Sequence, residues 1–317
     1  MISKVIAAIN EGRSFLITAH VRLDGDALGS ELALYHMLKA MGKEAVIYNQ
    51  DTTPQQYRFL PGAQNIVHET GDIEKYDTGV VLDCSNLERV GEKAGQIAKI
   101  KTLINIDHHV SNGGFCNVSL LDGQASSTGE LLYRLMWEMG YKLTKDICTN
   151  LYAAIITDTG GFRYLNTRKE TLCAAGNLVE NGAEPQWIAE NIYENDSPAR
   201  LKLMVRVMET MSLDLENKIG SLVVTQKAFK EAGADLDHAE GFVDITRTVK
   251  GIDISLLYTE LGNNYYKISF RSKGNVNVEN AARKFGGGGH VNAAGCHIEG
   301  DLEQVKRLVL AAVQGAN

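Results

Sequence analysis

Four apolar runs in this chain stop abruptly at an acidic or histidine side chain, and that pattern limits the fold more than any other feature. They are residues 13–19 (RSFLITA) before His20, 78–82 (TGVVL) before Asp83, 102–106 (TLINI) before Asp107-His108-His109, and 153–157 (AAIIT) before Asp158. The first three are unbroken enough to be strands buried on both faces, as in a parallel sheet covered by helices. Residues 44–49 (EAVIYN) read as another such strand, and 26–41, with Leu28, Leu32, Leu34, Tyr35 and Leu38, as a helix. The fourth run ends a helix expected over 144–157. A further helix, expected over 127–139, opens on Ser127-Thr128-Gly129-Glu130, the pattern of a capping box. Such alternation predicts an α/β fold whose N-terminal sheet is mostly parallel and flanked by helices.

The 317 residues allow two domains of ordinary size. Helical patterns dominate 168–213, broken by Pro185 and Pro198, and from Ile219 onward β-rich segments take over at 221–225, 252–259 and 265–271. A closing helix is expected over 301–313. The expected division is an N-terminal α/β domain over 1–189, a helical connector over 190–215, and a smaller α/β domain with a mixed sheet over 216–317.

Hydrophobic content of 44% and charged content of 22% are those of a folded globular protein. No stretch approaches the roughly 20 apolar residues that cross a bilayer. With no leader pattern at Met1-Ile2-Ser3-Lys4, the expected location is the cytoplasm, with no membrane partner. The five cysteines are dispersed and form no C-x-x-C pair, which argues against a zinc knuckle or a disulfide framework. A net charge of −7 argues against long nucleic acids as partners, because that affinity comes from Lys and Arg displacing counterions along many phosphates. A small anionic substrate, its charge met locally, is compatible.

In an open parallel sheet, ligands bind at the carboxyl ends of strands. His20-Val21-Arg22-Leu23-Asp24-Gly25-Asp26, Asp83, Asp107-His108-His109 and Asp158 can therefore converge. Each alone has a plain explanation, since an Asp-Gly after a strand is usually a turn or a helix cap. His36, His68, His238 and His297 lack such company and are read as structural. Four such segments together need something more. Crowded carboxylates repel one another and are costly to desolvate without a cation. Imidazoles mixed with carboxylates suit Mn(II) better than Mg(II), while Co(II), Fe(II) and Zn(II) also fit the donor types.

These segments resemble the signature motifs of the DHH phosphoesterases: H-x-x-x-D-x-D, a lone strand-end Asp, D-H-H and a later Asp. Residues 286–290 (GGGGH) resemble the GGGH motif of the DHH-associated domain that follows it in many members, and the two halves in order cover nearly the whole chain. The resemblance implies two divalent cations, with Mn(II) expected ahead of Mg(II) or Co(II). His20, Asp24 and Asp83 would hold one, and Asp26, Asp83, His108 and Asp158 the other, with Asp83 bridging. It further implies that His109 faces the scissile phosphate while Asp107 orients a ligand from behind. Backbone N–H groups of Gly287, Gly288 and Gly289, with His290, would meet substrate phosphate. Taken without the resemblance, the glycine run reads as a flexible turn before a strand at 294–298, and no Gly-Lys-Ser/Thr follows to make a Walker A loop. Arg271, at the end of a predicted strand, is a candidate phosphate clamp through its planar fork, and Arg283 is a second.

Within that family the short two-domain form resembles the nanoRNase and pAp phosphatase group. This implies trimming of short oligoribonucleotides, dinucleotides such as pGpG and pApA included, to mononucleotides, and conversion of 3′-phosphoadenosine 5′-phosphate (pAp) to AMP. The alternatives are breakdown of cyclic or linear dinucleotides and a RecJ-type single-strand exonuclease, whose extra binding modules this length cannot house. The basic Ser-Arg-Lys-Lys-Gln motif of family II pyrophosphatases is absent. A nucleotide-binding regulator would be marked by a missing metal ligand, and every expected ligand is present. A homodimer is compatible with the sequence.

Overall fold

The computed structural model describes residues 1–274 and 276–314. The chain divides into two compact units, Met1–Asn195 and Asp196–Asn317.

In the first unit, β1 (Ser14–Thr18), β2 (Glu44–Tyr48), β3 (Ile66–Val67), β4 (Thr78–Leu82), β5 (Thr102–Asp107) and β6 (Val118–Leu121) form one sheet. Their order is β3-β2-β1-β4-β5-β6, and every pair is parallel. Helices α1 (Ile2–Glu11), α2 (Gly25–Ala40), α3 (Ala94–Ile97), α4 (Thr128–Glu138), α5 (Lys145–Asp158), α6 (Lys169–Glu180) and α7 (Pro185–Tyr193) accompany it. Alternation explains the unbroken apolar runs: Phe15, Ile17, Val80, Leu82, Ile104 and Ile106 enter one core. Leu16, Val81 and Leu103 enter a second core with Tyr48, Ile97 and Ile100. Both faces being buried, both are largely apolar, with Asn105 in β5 a buried polar exception.

From β1 the chain runs through α2 to β2, then returns to lay β4 on the other side of β1. The connection reverses between β1 and β4, and such a switch point opens a crevice beyond the carboxyl ends of the two strands. Helix α2 is buried nearly all round because α5 lies close against it. A Cβ on Gly29 would sit 2.3 Å from the carbonyl oxygen of Asn150, so only glycine permits that approach. Asp26, on the same helix, is thereby carried deep into the unit.

In the second unit, α8 (Pro198–Met208) is followed by β7 (Ser212–Asp214), β8 (Ile219–Val224), α9 (Gln226–Ala232), α10 (Val243–Arg247), β9 (Ile254–Gly262) and β10 (Tyr265–Ser272). Then come α11 (Glu279–Arg283), β11 (Gly288–His290), β12 (Ala293–Glu299) and α12 (Leu302–Gln314). The sheet order is β11-β12-β10-β9-β8-β7, with β8 and β9 parallel and the other pairs antiparallel. The sheet is therefore mixed. Helix α8 contributes Leu203 and Val207 to a core with Leu222, Val224, Phe229 and Phe242, so it is packed into this unit. The glycine run is more than a turn, since Gly288–His290 pairs with β12 as an edge strand. Among the described residues no helix is long and apolar enough to cross a membrane.

Candidate active site

The carboxyl ends of β1, β4 and β5, the start of α2 and the end of α5 deliver the parts of the site. His20 lies just past β1, and Asp24 caps α2 by accepting the Ala27 N–H at 2.9 Å. Asp83 follows β4 in a left-handed conformation, φ +54°, which Asp tolerates better than most side chains. Its N–H still donates to Ile106 O at 3.0 Å, so the chain turns sharply at this residue, and such backbone outliers gather at functional sites. Asp107 ends β5, followed by His108 and His109, and Asp158 is the last residue of α5.

The side chains meet around Asp83. His20 donates from Nδ1 to Val21 O at 2.9 Å, which fixes the ring and presents Nε2 at 3.3 Å from Asp83 and 3.5 Å from Asp24. A backbone carbonyl on the far nitrogen is the usual support of a metal-binding imidazole. His108 Nε2 lies 3.5 Å from both Asp83 and Asp158 and 3.7 Å from Asp26. These separations are long for N–H···O hydrogen bonds. They suit two donors on one cation, which at about 2.1 Å each stand about 3.0–3.4 Å apart. Three overlapping groups have donor atoms within 4.8 Å of one another: His20, Asp24 and Asp83; Asp26, His108 and Asp158; and Asp83, His108 and His109. Mixed imidazole and carboxylate donors at this spacing fit divalent cations.

The electrostatics agree. Burial opposes the Asp83 charge, yet His20, His108 and His109 hold its carboxyl below the usual range. Burial, and then repulsion from Asp83 and Asp158, pushes Asp26 well up. Burial, partly offset by His108, takes Asp158 up to about 6. Burial also opposes charge on His20, but Asp24 and Asp83 outweigh it and raise the ring to about 11. The cluster carries surplus negative charge that protons or cations must neutralise.

Several supporting residues escaped the sequence reading. Asp26 accepts the N–H groups of Thr128 at 2.7 Å and Gly129 at 2.8 Å, the free donors at the start of α4. The Thr128 hydroxyl donates to Asp83 at 3.0 Å, so one residue orients two of the carboxylates. Ser127 does cap α4, accepting the Glu130 N–H at 3.0 Å, but the capping box is incomplete. Glu130 turns instead to Ser126, Thr171 and Arg134. Asp107 is fully buried; it accepts Nδ1–H of His109 at 2.6 Å and the Asn112 amide at 2.6 Å. Asn112 also lies within hydrogen-bond reach of Asn105 and of Cys84 O. The Ser127 cap was the only local signal for any of these.

In the second unit, Arg271 on β10 pairs with Ala293, which pairs in turn with His290 on β11. Arg271 and His290 thus share a register row two strands apart, about 10 Å. The side chain of His290 is outside the described part. Arg271 donates to Phe270 O at 3.0 Å and stands 4.0 Å from Asp244. Gly287 and Gly289 have a packing role as well, since a Cβ would meet Gly295 O at 2.2 Å or Ala293 O at 2.3 Å. Gly288 has open space around it. Arg283 is exposed and paired with Glu279 at 2.7 Å, as an ordinary surface arginine is.

A parallel sheet that gathers histidines and aspartates at its switch point, followed by a second mixed-sheet unit, defines a metal-dependent hydrolase of the phosphoesterase class. Residues 14–155 match the model for the DHH family, N-terminal domain, and residues 219–315 that for the DHHA1 domain. The chain is 35% identical to the bifunctional oligoribonuclease and PAP phosphatase NrnA of Thermus thermophilus, over 99% of this chain and 93% of that protein. It is 29% identical to the Bacillus subtilis protein of the same name, over 94% and 93%. The crystal structure of an exopolyphosphatase-related protein from Bacteroides fragilis superposes with a TM-score of 0.93 at 29% identity, covering 99% of this chain and 95% of that one. The chain belongs to the DHH family.

Proposed function

We propose that this protein uses two divalent cations, Mn(II) ahead of Mg(II) or Co(II), to hydrolyse short oligoribonucleotides to mononucleotides and pAp to AMP. The observation that carries the reading is Asp83, a buried carboxylate contacted by both His20 and His108. Shared in this way, Asp83 would help to hold both cations, one with His20 and Asp24 and the other with Asp26, His108 and Asp158. The names of the two NrnA relatives support the substrate class. When bound, the cations polarise the phosphoryl group and activate water as the nucleophile.

The chain's own residues orient and stabilise. His109 commits Nδ1 to Asp107, which leaves Nε2 to donate to a phosphoryl oxygen as its charge grows. Burial opposes a proton on His109, but the Asp107 hydrogen bond and the nearby Asp83 charge raise its pKa and favour that donor form. In the second unit Arg271, His290 and the N–H groups of Gly288 and Gly289 would contact substrate phosphate; the Gly287 N–H expected to join them is instead donated to Ala282 O at 3.1 Å. Hydrolysis of pAp, pApA, pGpG, an RNA of about two dozen nucleotides, pyrophosphate and polyphosphate is compared after metal removal and Mn(II) addition. Turnover of pAp and the dinucleotides far above the others is expected. Polyphosphate as the best substrate would overturn the reading in favour of the activity suggested by the Bacteroides fragilis name.

A further inference from the structure

Arg89 stands apart from the other arginines near the site. It lies in the single turn Leu87–Val90, a few residues after Asp83, and that turn is anchored on both sides. Asn86 accepts the Arg89 N–H at 3.2 Å, and the Arg89 carbonyl accepts the N–H of Val21, next to His20, at 2.8 Å. Backbone anchoring thus places this side chain between two of the metal-ligand segments. Its guanidinium makes no hydrogen bond or ion pair among the described residues, and Nη1 is sealed from solvent without a partner. Arg89 is half-buried, and leaving a shielded guanidinium donor unused is costly. The Arg89 guanidinium is near enough to act electrostatically on Cys84 and His109.

Resting on the function proposed above, we propose that Arg89 is a substrate ligand of the first unit, the solvent-facing edge of its guanidinium taking the non-bridging oxygens of the phosphoryl group under attack. A planar fork matched to two phosphate oxygens is what guanidinium offers and an ammonium does not. Cations held by carboxylates need such a partner, because the phosphoryl group gains charge that the nearby aspartates repel.

The test uses the full chain loaded with Mn(II) and the variants Arg89→Gln and Arg89→Lys. Bound Mn(II) per chain is measured first and is expected to match wild type, since Arg89 ligates no metal. Affinity for inorganic phosphate, by calorimetry, is expected to fall about tenfold or more in Arg89→Gln and less in Arg89→Lys. Turnover of pAp is expected to fall about 10²-fold in Arg89→Gln, the size for removing one donor to the transition state. Added guanidinium should restore part of it. Phosphate affinity equal to wild type in Arg89→Gln would overturn the assignment. So would loss of metal or of the native circular dichroism spectrum in both variants, which would place the guanidinium in the scaffold. A wild type that turns over none of the nucleotides refutes the proposed function, while the phosphate titration still decides Arg89.

Discussion

At the scale of single residues, what separates a ligand from its support is which atom is already engaged. His109 has Nδ1 bound to Asp107, so His109→Ala is expected to keep its Mn(II) and lose about 10²-fold in turnover. Metal analysis beside kinetics checks this, and lost metal would make His109 a ligand. Glu31 shows the cost of a nearby buried acid. It is fully buried, and burial raises its pKa from 4.5 to about 8 even though Asn49 donates to it at 2.8 Å. A carboxyl that binds its proton more tightly when folded gives stability fully present below pH 4.5 and lost as pH rises through about 8. Metal-free protein should therefore weaken over that window, and Glu31→Gln should weaken less. Urea midpoints at several pH values in the presence of chelator provide the measurement; parallel slopes would show that Glu31 is not the source.

At the scale of elements, the site depends on helices that approach more closely than ordinary side chains permit. A Cβ on Gly129 would meet the Ala154 Cβ at 2.5 Å, while the Gly129 N–H holds Asp26. Gly129→Ala should push α4 off α5, cost about 1–3 kcal/mol of stability as overpacking does, and weaken Mn(II) binding through Asp26. Adding Ala154→Gly should recover both. Denaturation and metal titration of the single and double variants check it. The convergence of the strand-end Asp and His residues was legible in the sequence because β1, β4 and β5 are buried on both faces and the residues that end their apolar runs stand out. Strand β6 was missed because it is short and half exposed, and β11 because a glycine run carries no strand pattern. The roles of Thr128 and Asn112 were not legible, since each is set by partners that only the fold brings near. Arg283, the weaker arginine candidate in the sequence, ends α11 exposed and paired with Glu279, whereas Arg271 is half-buried on β10.

At the scale of the whole molecule, the two units divide the labour proposed for them, with cations in one and a phosphate grip in the other. A net charge of −7 argues against a basic track that would reward phosphates beyond that grip. Dinucleotides to about pentanucleotides should thus be cleaved much faster than long RNA, and Arg271→Ala should flatten that preference while keeping its metal. Values of kcat/KM against length at fixed salt test it; a wild type that favours long RNA would speak for a processive exonuclease. The centre of the scheme is Asp83, and the most direct measurement is the number of Mn(II) ions per chain after dialysis, in wild type and in Asp83→Ala. Two in the wild type and fewer than one in the variant are predicted, because one carboxylate would serve both cations. Two ions retained by Asp83→Ala would contradict the bridging role and, with it, the two-cation site.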